Sequence, residues 1–564
     1  VGSSIESTVG LTAAQRDAVV ADDPVLCVLA GAGTGKTRVL TLRVARRAGD
    51  RSARADRVLV CTFSRKAADE LRRRLWSLGV GDVRAGTFHR TALGLLRQYR
   101  ADRGGPAPSV LPDRRALLAD VLADPVGGGG ARRRPDGRRL PRVVQVDGEI
   151  SWAKARLIGP ESYEEEARRH HRRPAAGTAK MADLYGRYEA ARHRQGALDF
   201  DDLLWRAADV LAEDPTFAAA VRWRNHHVFV DEMQDVNPAQ FRFLRLLVGD
   251  DPDLFVVGDP NQSVYGWNGA DPSLLDRLPA TFPGTRVLRL DENHRCSPQV
   301  VAVASAALGL SGATSPTSSR PDGVVPRVTE HATDADEAQW VARQVWTAHR
   351  PGRRWAELAV LARTNGQLAA LTEALSTERV PYRLAGGSLG PASDLRARRT
   401  ASGALAVQPV DDRDGHDEPV SDGSGSTGFG STGEADEDAD AVTLTTFHRA
   451  KGLQWPAVFV VGLSDGLVPI ASARSSGPLD EERRLLYVAL TRAEIELTCS
   501  WARHVDARSA ADGVPSRSAS PWLGDVVRTC RELDTDAAPA DPDQVVARLA
   551  ELRTRLGAVD PAAG

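Results

Sequence analysis

Short apolar runs recur along the chain, and each stops at a polar, glycine-rich or acidic stretch. Residues 25–30 (VLCVLA), 58–62 (VLVCT), 227–230 (HVFV), 254–257 (LFVV), 442–446 (VTLTT) and 458–461 (VFVV) are too short for helices and too continuously apolar for a half-exposed strand. They predict strands buried on both faces, as in a parallel sheet covered by helices. Residues 63–68 (FSRKAA) open an amphipathic helix, and Leu11 and Thr12 mark another helix start with Thr12 as its cap. Strand patterns vanish over 100–195, which reads as a helical insertion. Residues 391–440 are rich in Gly, Ser, Asp and Glu with few apolar positions, and a chain of that composition is expected to be disordered. Residues 531–564 are Ala/Asp/Pro-rich, with room for one helix. The fold class is α/β.

Composition adds bounds. A chain of 564 residues suggests three or four domains, and 42% hydrophobic with 26% charged residues is ordinary for a globular protein. No apolar run approaches a membrane span, and the polar N-terminus does not read as a signal peptide, so no membrane partner and a cytoplasmic location are expected. The five cysteines (Cys27, Cys61, Cys296, Cys499, Cys530) lack metal-ligand spacing and read as small hydrophobes. The net charge of −2 hides an asymmetry: residues 411–440 carry eleven acids against Arg413 alone, which leaves +8 on the rest. That balance suits contact with nucleic acid.

The chemistry starts where the first strand ends. Ala30, Gly31, Ala32, Gly33, Thr34, Gly35, Lys36 and Thr37 have a P-loop layout, with Ala30 where the strict pattern has Gly. Backbone N–H groups and a helix N-terminus cradle phosphates there, Lys36 reaches the β/γ-phosphates and the Thr37 hydroxyl meets Mg²⁺. A glycine-rich turn without ligand is the alternative. Against it, Lys36 is one of only five lysines among 73 basic residues, kept where a compact ammonium fits and a planar guanidinium does not. Upstream, the Gln15 amide matches an adenine edge. Asp231 and Glu232 close the strand 227–230: two adjoining acids at a buried strand tip call for a cation and a reacting water, with Asp231 on Mg²⁺ and Glu232 on the water. After the strand 254–257, Gln262 is placed to sense a γ-phosphate, and Tyr265 and Trp267 offer rings for base stacking. Phe63, Arg65, Thr87 and His89 put aromatic, hydroxyl and basic groups at strand ends, where open α/β sheets bind ligands. Arginine clusters at 132–142 and 168–173 are open to two readings, duplex contact or solvated loop.

The order LTAAQR, AGAGTGKTR, CTFSRKAA, GTFHR, LDFDDLL, VDEMQD, VGDPNQSVYGW, LDENHRCSPQVV, TTFHRAKGLQW and EERRLLYVALTRA spans residues 11–493. In it the chain resembles UvrD/Rep/PcrA-type superfamily 1A DNA helicases. With residues 149–160 it also resembles the second UvrD-like group of actinobacteria. The resemblance implies two RecA-like lobes with parallel sheets flanked by helices: lobe 1A over 1–100 and 191–288, a helical insertion 1B over 101–190, and lobe 2A over 289–390 and 441–530. The acidic stretch 391–440 stands where the family has its 2B domain, and the tail 531–564 shows no HRDC module. It implies that Arg295 and Arg492 are γ-phosphate arginines, that Arg38 and His294 lie by the adenine, and that Gln454 lies by the ribose. Phe63, Thr87, His89, Tyr265, Trp267 and His448 would meet single-stranded DNA. His294, Asn268 and Gln454 depart from the family's usual Tyr, Arg and Glu. The implied activity is ATP- and Mg²⁺-dependent 3′→5′ movement on DNA with strand separation, in DNA repair, where a protein partner is a further expectation. Two alternatives stay open: a translocase that displaces proteins and unwinds only with a partner, and an ATP-gated DNA-binding protein.

Overall fold

The computed structural model describes residues 10–123, 142–312, 315–385, 440–471, 473, 479–505 and 516–536. The acidic stretch 391–439, the arginines at 132–139 and the tail beyond 536 lie outside these residues.

Two six-stranded, all-parallel sheets form the framework. The first has the order β3-β2-β4-β5-β1-β6, built from β1 (Val25–Ala30), β2 (Val58–Thr62), β3 (Arg84–Thr87), β4 (His227–Val230), β5 (Asp253–Gly258) and β6 (Arg286–Leu290). A short parallel pair, β7 (Glu292–Asn293) and β8 (Thr317–Ser318), leads into the second sheet. That sheet has the order β11-β12-β10-β13-β14-β9, from β9 (Arg327–Thr333), β10 (Leu358–Ala362), β11 (Tyr382–Leu384), β12 (Val442–Thr446), β13 (Trp455–Val460) and β14 (Ala493–His504). The apolar runs of the sequence are inner strands of the two sheets, four in the first and two in the second. β1, β2, β4 and β10 are buried along nearly their whole length, because helices cover both faces.

Register decides where the chemistry gathers. Leu29 lies opposite Gly258, Ala30 opposite Leu290, Cys61 opposite Val230, and Val230 opposite Val256. The C-terminal ends of β1, β2, β4, β5 and β6 are therefore level, and the segments after them all leave one edge of the sheet. Ala30 is the last residue of β1 and is 2% exposed. Its methyl group belongs to the core, so the position does not require glycine.

The insertion between the helix Phe88–Ala101 and the helix Asp202–Glu213 is helical: Arg114–Ala123, Val143–Ala155, Tyr163–Arg169 and Thr178–Arg194 share their own core around Ile150, Tyr163, Tyr185 and Tyr188. It is pinned to the first sheet's unit by charge as well. Lys154 Nζ, buried, donates to Asp199 and Asp202 at 2.7 Å each and pairs with Glu189 at 2.7 Å. The arginine cluster at 168–173 is largely paired: Arg168 with Glu164, Arg169 with Glu165 and Glu166, and Arg172 with Glu149. These acids offset the positive charge that suggested a duplex grip.

Candidate ATP and DNA site

Gly33 and Gly35 adopt left-handed backbone (φ 70° and 86°), which bends the chain from β1 into the helix Lys36–Gly49. A side chain at Gly33 would also collide with Asn293 and Arg295, its Cβ falling 2.6 Å from Asn293 Oδ1. The Lys36 ammonium donates to the Ala30 carbonyl at 3.0 Å and the Gly31 carbonyl at 3.2 Å, and stands 3.8 Å from Asp259. The Thr37 hydroxyl donates to Asp231 Oδ2 at 3.2 Å. A hydroxyl beside a buried carboxylate is a donor set that suits a hard divalent cation. Gln15 Nε2 donates to the Thr34 carbonyl at 2.9 Å and its Oε1 accepts from Thr12 N–H, so Gln15 both caps its helix and braces the loop. Arg38 is exposed, one residue past Thr37.

The acids after β4 differ in environment. Burial and the adjoining Glu232 charge, opposed by Lys36, push the Asp231 carboxyl up to about 7. Burial also disfavours charge on Glu232, but Lys36, Lys451, the Gln234 amide and Arg492 outweigh it and hold that carboxyl below its usual value. Glu232 has left-handed backbone (φ 54°), which a non-glycine residue adopts only when its surroundings enforce it. Its backbone N–H donates to Asp231 Oδ1 at 3.0 Å and its carbonyl accepts from Asp235 N–H at 3.0 Å, while the side chain is held by Gln234. The Gln234 amide donates to Glu232 Oε2, while its Oε1 accepts from Asp259 N–H at 2.8 Å, joining the ends of β4 and β5. Gln262 is buried and donates to Asp259 Oδ2 at 2.6 Å.

The segments around the second sheet face this edge. His294 N–H donates to the Gly33 carbonyl at 2.9 Å, and Asn293 Nδ2 donates to the Ala32 carbonyl at 2.8 Å. Among the described residues, Nε2 of His294 and Nη1 of Arg295 are buried without a hydrogen-bond partner. Arg492, 1% exposed, spends its donors on the Val488 and Leu453 carbonyls (2.8 and 3.0 Å) and the Thr491 hydroxyl. Burial and the nearby Arg295 lower its guanidinium to about 9. Among the described residues neither arginine forms a salt bridge. Two such cations brought together in a buried place make a site for an anion.

On the neighbouring face, Phe63 stacks on Tyr265 (centroids 5.2 Å apart, planes 15° apart) and Tyr265 meets Trp267 edge-on at 6.4 Å. Trp267 is 37% exposed. His89 stacks on Phe200 at 4.0 Å, and Thr87 caps the helix Phe88–Ala101 through Arg90 N–H. Arg65 is exposed at the first position of its helix. His448 follows β12. Burial, with Arg363 and Lys451 adding, pushes its imidazole down to about 3, so it is neutral. The sequence suggested Tyr265 and Trp267 as equivalent platforms; in the structure Tyr265 is the supported ring and Trp267 the open one.

Gln454 is exposed next to Leu453, whose carbonyl accepts from Arg492, and no side-chain hydrogen bond joins it to the group among the described residues. Sequence reasoning missed Gln234, Asp259, Asn293 and Lys451. All four sit within the motifs already singled out, and proximity to them, with the rarity of lysine for Lys451, was the only available signal.

The comparisons agree with this geometry. Residues 11–283 match the UvrD/REP helicase N-terminal domain, and residues 288–388 and 430–504 match the UvrD-like helicase C-terminal domain. The chain is 36% identical to the ATP-dependent DNA helicase UvrD2 of Mycobacterium tuberculosis, covering 87% of this chain and 79% of that protein. It is 28% identical to DNA helicase II of Escherichia coli (86% and 84% covered) and 26% identical to the ATP-dependent DNA helicase PcrA of Staphylococcus epidermidis (89% and 85% covered). No helix among the described residues is long and apolar enough to cross a membrane. With both domain models matched in order over most of its length, the chain belongs to the UvrD/Rep family of ATP-dependent DNA helicases.

Proposed function

We propose that this chain is an ATP-driven motor that moves 3′→5′ along single-stranded DNA and separates strands, and that it serves DNA repair. The observation that carries the reading is the pair Arg295 and Arg492: two guanidinium groups without a carboxylate partner among the described residues, reaching the edge that holds Lys36 and Glu232. A triphosphate supplies the missing negative charge. Its phosphates lie in the loop 30–37 with Lys36, its base near Gln15, Arg38 and His294, and its ribose toward Gln454. Thr37 and Asp231 would hold Mg²⁺, which when bound neutralises phosphate charge. Glu232, kept ionised by its cationic neighbours, orients the attacking water and takes its proton. Arg295 and Arg492 stabilise charge on the transferring phosphoryl group, so hydrolysis depends on both lobes being in place. Gln262 carries the nucleotide state toward the Tyr265 wall. Phe63, Arg65, Thr87, His89, Tyr265, Trp267 and His448 hold the strand.

Direction of movement and the repair role rest on the family likeness. A second reading has its own support: the C-terminal family match breaks between 388 and 430, in the region where the family inserts its 2B domain. On that reading the chain translocates and displaces bound proteins, but unwinds only with a protein partner. One experiment separates the two. A short duplex with a 3′ single-stranded tail is incubated with the chain and ATP, hydrolysis is followed in the same tube, and a 5′-tailed duplex is the control. Displacement from the 3′ tail alone is the expected result. Brisk hydrolysis without displacement would favour the translocase.

A further inference from the structure

Lys451 is the fifth and last lysine of a chain that otherwise uses arginine almost throughout. It lies in the turn after β12, and its side chain is 7% exposed. Its ammonium donates to Asp235 Oδ1 at 2.8 Å, to Asp235 Oδ2 at 2.5 Å and to the Gln262 carbonyl at 2.6 Å. It also stands 4.9 Å from the centroid of the Tyr265 ring, which stacks on Phe63. Asp235 follows Glu232 within one tight turn, Asp235 N–H donating to the Glu232 carbonyl at 3.0 Å. The Gln262 amide goes on to Asp259, which faces Lys36. One cation from the second lobe thus touches the segment carrying the catalytic acid, the segment carrying Gln262, and the aromatic wall.

We propose that Lys451 is the positioning residue that couples strand binding to hydrolysis: it ties the Phe63–Tyr265 wall to the Asp235 and Gln262 segments, so that DNA seated on the wall fixes the hydrolytic groups. An ammonium has three donors in a compact head, and here all three converge on Asp235 and Gln262. A planar guanidinium spreads its donors in a fixed fork and cannot reproduce that convergence in so closed a place. The cation over the Tyr265 ring is an attraction that depends on where the ring stands. Displacing the ring alters the same group that holds Asp235. The inference rests on the proposed roles of Glu232, Gln262 and Tyr265.

The test uses the full chain and measures ATP hydrolysis with and without saturating single-stranded oligonucleotide, taking their ratio as the readout. In Lys451→Met the stimulation ratio is expected to fall at least tenfold, with KM for ATP within about threefold of the parent. Asp235→Asn should show the same loss, and the double variant should be no worse than either single one. Lys451→Arg, which keeps the charge, should not restore the ratio; it also carries the test if Lys451→Met fails to fold by thermal melting. A ratio within twofold of the parent in the folded variants would overturn the proposal, as would an equal fall of basal and stimulated rates. Glu232→Gln in the same assay keeps the two readings apart. If it hydrolyses like the parent, the site assignment fails. If it is inactive while Lys451→Met keeps full stimulation, only the coupling fails.

Discussion

Asn293 and Ala32 are joined across the cleft: the Asn293 amide donates to the Ala32 carbonyl at 2.8 Å, while its Oδ1 accepts the N–H groups of Arg295 and Cys296, each at 2.8 Å. One buried side chain thus fixes the arginine-bearing turn against the P-loop. Asn293→Ala removes three hydrogen bonds and leaves buried backbone groups unpaired, at roughly 1–3 kcal/mol each for groups that find no water. We expect kcat for DNA-stimulated hydrolysis to fall at least tenfold with a smaller change in nucleotide affinity. Unchanged kcat would show that the turn keeps its place without the amide.

Glu232→Gln keeps the shape and removes the proposed base. Hydrolysis should be abolished while a fluorescent ATP analogue binds as in the parent. Equal turnover by variant and parent would remove Glu232 from its role.

Arg492 gives two of its five donors to carbonyls of its own lobe, so its removal affects packing as well as charge. For a guanidinium acting on the transferring phosphoryl group, Arg492→Ala should lower kcat by about 10³–10⁵. Arg492→Lys keeps a charge but not the fork, and should recover little of the loss. The check is steady-state hydrolysis at saturating ATP, with thermal melting to confirm folding; a loss under tenfold would exclude the role.

Trp267 is the open ring of the aromatic wall. Trp267→Ala should weaken single-strand binding by roughly 1–3 kcal/mol, measured by anisotropy of a labelled oligonucleotide. Full affinity would mean that the strand runs elsewhere.

Asp253, at the start of β5, accepts two hydrogen bonds from Arg47 at 2.7 Å each and lies 2.6 Å from His227 Nδ1. Burial alone would raise its pKa, but His227 and Arg47 hold it far below the usual carboxylate value. A carboxyl whose pKa is depressed on folding gives its full stabilisation above the unfolded value of about 3.9, and loses it as pH falls toward the folded value. Stability to urea should therefore decline below about pH 4. Asp253→Asn should lose about 3 kcal/mol at pH 7 and show a shallower decline in acid. Parallel pH profiles for variant and parent would refute the linkage.

What the sequence determined by itself is local chemistry. The runs at 25–30, 58–62 and 227–230 are strands at those positions, because continuous apolar residues of that length have few other stable uses, and Thr12 caps its helix as read. Lys36 and the Asp231–Glu232 pair stood out because their residue types are costly where they occur. Arg295 and Arg492 did not: among so many arginines, only the family likeness singled them out. Only the tertiary structure decided which polar residues meet. Parallel register levels five strand ends at one edge, and the second lobe then brings Lys451 to Asp235 across 216 positions of sequence. Asn293 and Gln234 carry no local signature and Lys451 only its rarity as a lysine, because their importance lies in partners held at hydrogen-bond distance by other elements. Periodicity records which face of an element is buried, and it holds no information about what is packed against that face.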